Sequence, residues 1–102
     1  MDRKEFIKNE INQDPMDPFN HYLLGIEYQK DGAIEESLKQ FEMIVSKFPE
    51  YVATYYTYAN ALLSANKEDR AEEIIQAGIL QAEKKGAAKA LKELKQLLEL
   101  NF

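Results

Sequence analysis

The amino-acid sequence predicts an all-α protein built from consecutive helical hairpins, and three observations carry that prediction. Between breaks, apolar residues recur at helical spacing, and no stretch sustains the alternation of a strand. The breaks themselves hold Pro15, Pro18, Pro49, Gly32 and Gly86, residues that interrupt or turn a helix. The segments so divided read as two helix-turn-helix units in succession, with one further helical segment at each end.

Residues from about Asp2 to Gln13 predict a short helix around Phe6, Ile7 and Ile11. Asp17-Pro18 starts the next one. A carboxylate there caps the free amides of the first turn, and proline is tolerated in that turn, so the helix runs from about Pro18 to Lys30. Asp31-Gly32 makes a tight turn, and a second helix follows from about Ala33 to Lys47, stopped by Pro49. A third long helix begins near Tyr51 or Val52 and ends about Ala65, with Asn66-Lys67 as its turn. Its partner, about Lys67 to Lys85, ends at Gly86, which suits a left-handed cap. The last helix, Ala87 to about Leu100, carries Ala87, Ala90, Leu91, Leu94, Leu97 and Leu98 on one face. Lys89, Lys92, Glu93, Lys95, Gln96 and Glu99 lie on the other, giving an amphipathic stripe.

A chain of 102 residues, 45% hydrophobic and 30% charged, is long enough for one domain with a real core. It contains no cysteine, which removes disulfide frameworks, thiolate zinc sites and cysteine nucleophiles, and fits a reducing compartment. The charged start, Met1-Asp2-Arg3-Lys4-Glu5, leads into no apolar stretch long enough for a signal peptide or membrane span, so a cytoplasmic location is expected. The net charge of -5 disfavours nucleic acid and anionic lipid as partners. Lys84, Lys85, Lys89, Lys92 and Lys95 cluster, and read as a solvated helix face.

Catalytic chemistry finds little support. His21 is the single histidine, and no sequence motif gives it the nucleophile or carboxylate that a general base needs. Glu35-Glu36 and Glu72-Glu73 are adjacent in sequence and read as helix-surface charge, not as a convergent acid-base pair. The four glycines are scattered and form no phosphate loop, and one His without Cys makes a poor metal site. No catalytic residue, metal or cofactor is expected.

His21, Leu24, Gly25 and Tyr28, followed by Ser37, Phe41 and Pro49, are spaced as large-x-x-Leu-Gly-x-x-Tyr, small-x-x-x-Phe, then Pro. This resembles the tetratricopeptide repeat pattern. Leu24, Gly25, Tyr28, Phe41 and Pro49 match outright, His21 stands where Trp is usual, and Ser37 replaces Ala. Moving on by that family's 34 residues reaches Tyr55, Tyr58, Ala59, Leu62, Ala71 and Ile75, which keep the size classes but not the identities. Moving back from Pro49 reaches Pro15, with Ile11 and Ile7 behind it. The resemblance therefore implies a half repeat at about 2–15, repeat one at 18–51, repeat two at 52–85 and a closing helix at 87–101. Gly25 and Ala59 are then the small residues where helices approach closely, with Tyr28, Phe41, Leu62 and Ile75 beside them.

Phe19, Tyr22, Ile26 and Gln29 lie on a different, largely apolar face from Leu24, Gly25 and Tyr28, and Ala53, Tyr56, Asn60 and Leu63 are their counterparts. In tetratricopeptide proteins the first helices of successive repeats line a concave groove that holds peptide segments, and by resemblance these eight residues form it. Tyrosine suits such a surface, with large contact area and a polar tip. A branch of the family grips a chaperone's C-terminal carboxylate with lysine and asparagines. Tyr22 and Ile26 occupy the first repeat's lysine and asparagine places, so that clamp is absent, and an apolar or aromatic ligand is expected. Two other readings of the same face stay open: cover by a terminal helix, and self-association of a second copy. The resemblance thus implies a non-enzymatic module that binds a protein or peptide. A homo-oligomeric assembly module and a noncatalytic regulatory subunit are the alternatives.

Overall fold

The computed structural model describes residues 2–102. Among them are six α-helices and no strand: α1 (Arg3–Gln13), α2 (Pro18–Lys30), α3 (Ile34–Lys47), α4 (Ala53–Ser64), α5 (Glu68–Lys85) and α6 (Ala88–Asn101). They fall into two compact units that divide between Phe48 and Pro49.

In the first unit α1 and α2 start at aspartates, which offer an acceptor for free backbone N–H groups. The Asp2 carboxylate accepts from the Glu5 amide at 2.8 Å to open α1, and the Asp17 carboxylate accepts from the Phe19 amide at 3.0 Å to open α2. Gly32, at φ 76°, reverses the chain between α2 and α3. The α2–α3 hairpin closes on Phe41 and Ile44, both fully buried, with Leu24, Leu38 and Phe48 around them. Burying a side chain of that size stabilises the unit by roughly 1.5–3 kcal/mol.

Helix α1 packs on α2 through buried Ile7 and through charge. Arg3 Nε stands 3.2 Å from Glu27 Oε2, the Lys4 ammonium pairs with the Asp31 carboxylate, and it also lies 5.8 Å above the ring of Tyr28. Tyr28 is therefore shared with the N-terminal helix, beyond the hairpin contact its place in the motif suggests. Phe6 departs from expectation: it is 55% exposed. A helix packed mainly on one neighbour covers only a narrow stripe, and Phe6 stands a quarter-turn or more from Ile7.

In the second unit, α4 begins at Ala53 because Tyr51 and Val52 form the preceding turn, their carbonyls accepting from the amides of Thr54 and Tyr55. Asn66, at φ 60°, turns α4 into α5, and Gly86, at φ 67°, ends α5 in the left-handed conformation. The expected stripe of α6 packs inward, with Leu94 and Leu97 buried and Ala90, Leu91 and Leu98 half-buried. Gly78 marks where α4, α5 and α6 converge. A β-carbon there would come within 2.6 Å of Tyr55 Cβ and 3.1 Å of Leu94 Cδ1. The Thr54 hydroxyl is fully buried and has no hydrogen-bond partner among the described residues.

Candidate functional site

The residues of interest sit on α2 and α4, one helix in each unit. On α2, Phe19 is 50% exposed, and Tyr22, Ile26 and Gln29 are half-buried. Their position follows from helical spacing, since steps of three and four residues keep side chains on one flank. Tyr22 leans inward as well, its ring tilted at 48° against Phe41 with centroids 6.2 Å apart. The charged and cation–π contacts of α1 fall on Glu27, Tyr28 and Asp31, the opposite flank of α2. Those contacts of the N-terminal helix lie away from the Phe19–Tyr22–Ile26 line.

On α4, Ala53 is exposed, Tyr56 is 41% exposed, and Asn60 and Leu63 are half-buried. The Asn60 side-chain amide donates to the Tyr56 carbonyl at 3.1 Å, one turn back along the helix. One N–H of this side chain is thereby committed, while its oxygen has no intramolecular partner among the described residues.

His21 does structural work. Its Nε2 lies 2.8 Å from the Pro15 carbonyl oxygen, and its Nδ1 lies 3.3 Å from the Gln40 side-chain nitrogen. A carbonyl only accepts and an amide NH2 only donates, so Nε2 carries the proton and Nδ1 accepts. The ring also stacks on Phe48 at 5.8 Å between centroids. Tyr55, at the corresponding place of the second hairpin, donates its hydroxyl to the Pro49 carbonyl at 2.7 Å. Both side chains tie the entering loop to the first helix of a hairpin. Burial, aided by the charge of Glu50, pushes the Tyr55 phenol above its ordinary pKa.

Among the described residues no group of three or more His, Asp or Glu side chains could hold a metal ion, and no helix is long and apolar enough to cross a membrane. Two features escaped the sequence reading. Gly78 carries a signal that could have found it, a small residue in a buried stretch three positions after Ile75. An open cleft between α1, α2 and α3 carries none, because its walls come from separate helices.

The sequence matches the family model of the tetratricopeptide repeat over residues 28–98. No curated protein matches it. Among solved structures, the solution structure of a tetratricopeptide repeat domain protein from Salinibacter ruber is 33% identical, with a TM-score of 0.82 over 86% of this chain and 89% of that one. A crystal structure of a tetratricopeptide repeat domain protein from Salinibacter ruber is 32% identical, with a TM-score of 0.78 over 83% of this chain and 94% of the other. A Bordetella parapertussis protein shares the fold, at 17% identity and a TM-score of 0.79 over 97% of this chain and 86% of that one.

Proposed function

Because the chain belongs to the tetratricopeptide repeat family, we propose that it is a non-enzymatic adaptor that binds a peptide or protein segment through the exposed faces of α2 and α4. The family is one of protein-interaction modules, and the first helix of each of its repeats supplies the binding face. With repeats at 18–51 and 52–85, α2 and α4 hold that place. Phe19, Tyr22, Ile26 and Gln29 then act with Ala53, Tyr56, Asn60 and Leu63.

The observation that carries this reading is aromatic exposure at one face of each helix. Phe19 and Tyr56 keep about half their surface in water although the opposite flanks of their helices are packed. Large, stiff, amphipathic rings give contact area at low entropy cost, which is why they recur as anchors in interfaces. An apolar or aromatic segment is the fitting ligand, with Asn60 available to its backbone.

The test begins with a peptide selected against the full chain from a random library, followed by calorimetric titration of variants. Tyr22→Ala and Tyr56→Ala should each weaken binding by about 1–2 kcal/mol while leaving the helical circular dichroism unchanged. Unchanged affinity in both variants would remove the assignment of the ligand to these faces.

A further inference from the structure

Helices α1, α2 and α3 enclose an open cleft of about 390 Å³ in the first unit. Its floor is apolar: Leu24 is buried, and Ile11 and Met43 are half-buried. Its rim is polar, formed by Lys8, Asn12 and Gln40, while His21 makes one wall. The imidazole has both nitrogens engaged, on the Pro15 carbonyl and on the Gln40 amide, so it shapes the cleft without offering a free donor.

The charge of the rim is what gives it chemical character. The lining includes one cation and no acid, in a chain where eighteen acids outnumber thirteen lysines and arginines. The other two basic residues early in α1 are already matched, Arg3 by Glu27 and Lys4 by Asp31. Lys8 has no ion pair and Asn12 no hydrogen-bond partner among the described residues. An uncompensated ammonium and an unpaired amide beside an apolar floor fit a ligand that brings an anionic acceptor and an apolar group together.

We propose that this cleft binds an acidic side chain carried next to an aliphatic residue on a partner protein segment. The carboxylate sits against Lys8 and Asn12, and the aliphatic neighbour sits on Ile11, Leu24 and Met43. A purely apolar ligand would strip water from Lys8 without replacing it. A bare phosphate would leave the floor unused. The volume is at the small end of ligand pockets and suits one or two side chains, not a long segment. This contact is independent of the α2 and α4 faces, because it opens on the flank of α2 that carries His21 and Leu24.

The experiment is a titration of the full chain, isotope-labelled for NMR, with two capped dipeptides, N-acetyl-leucyl-glutamic α-amide and its glutamine analogue. The acidic probe should shift the Asn12 and Gln40 side-chain amides and the Met43 and Ile11 methyls saturably. The neutral analogue should bind about tenfold more weakly or less, the loss of one charge-assisted hydrogen bond. Lys8→Glu, at an exposed position with no ion pair or hydrogen bond among the described residues, should abolish the preference and keep the melting temperature. Tyr56→Ala should leave the titration as it was, so failure of the α4 face and failure of the cleft are read separately. Equal binding of the two dipeptides, shifts centred outside the cleft, or a preference that survives Lys8→Glu would each overturn the proposal. So would binding that appears only when leucyl-glutamate is given a free terminal carboxylate, since the anion would then be a chain end and not a side chain.

Discussion

Gly25 has no side chain because Phe41 occupies the volume one would need: a β-carbon there would stand 2.4 Å from Phe41 Cε1 and 2.9 Å from Cδ1. Phe41 is fully buried, so its ring has little room to yield. Gly25→Ala should therefore destabilise the first unit by about 1–3 kcal/mol, read as a lower urea midpoint. Adding Phe41→Leu should cost less in the Gly25→Ala background than in the wild type, because the clash and the ring are one interaction. Additive losses would mean that Gly25 is required for another reason. In the second unit Ala59, 34 residues on from Gly25, is fully buried, and a comparably close approach is found at Gly78. His21 and Tyr55 show the same economy at the residue scale. Their identities differ, yet each reaches the carbonyl of a proline six residues earlier.

At the scale of the element, the turns explain why the helices were legible. Gly32 and Asn66 stand 34 residues apart and both adopt positive φ, 76° and 60°, at the turn of their hairpins. A β-carbon in that conformation costs about 1–2 kcal/mol, less for asparagine, whose short polar side chain tolerates it. Gly32→Ala and Asn66→Ala should each lower stability, the first by about 1 kcal/mol, whereas Asn66→Gly should hold or raise it. Chemical denaturation of the three variants checks the order, and a stabilising Gly32→Ala would contradict it. Such turn residues, with Asp17-Pro18 and Pro49, placed all six helices in the sequence, and the observed ends differ by two residues or fewer. The small offsets arise because residues such as Ala33, Lys67 and Ala87 are half inside their helices. The faces of α2 and α4 were legible for the same periodic reason. What the period could not give was the tilt of Tyr22 onto Phe41 or the bond from Asn60 back to Tyr56, since both depend on rotamers. Nor could it give the cleft, whose Lys8 and Asn12 lie far along the chain from Gln40 and Met43, with no pattern linking them.

At the scale of the whole molecule, the raised proton affinities set an alkaline edge to stability. Tyr55 is held above its ordinary 10.0 by burial, with Glu50 adding to the effect, and Lys4 is held above 10.5 by its hydrogen bond to Asp31 and by that carboxylate's charge. In both, the folded chain binds the proton more tightly than the unfolded chain. Their contribution is therefore complete below the unfolded values and is lost as pH rises through the raised folded ones. The urea midpoint should stay flat from neutral pH to about pH 9 and fall above about pH 10. Tyr55→Phe separates this effect from the general repulsion that grows as lysines lose charge in a chain already at -5. The variant lacks the hydroxyl bonded to Pro49, so at neutral pH it should be less stable by about 0.5–1.5 kcal/mol. With no phenol to ionise, its midpoint should then fall less steeply than the wild type's beyond pH 10. The ultraviolet titration of the wild type should likewise include a tyrosine that ionises late, and the variant should lack it. Midpoints that fall in parallel for the two proteins would show that Tyr55 ionises no less readily in the folded chain than in the unfolded one.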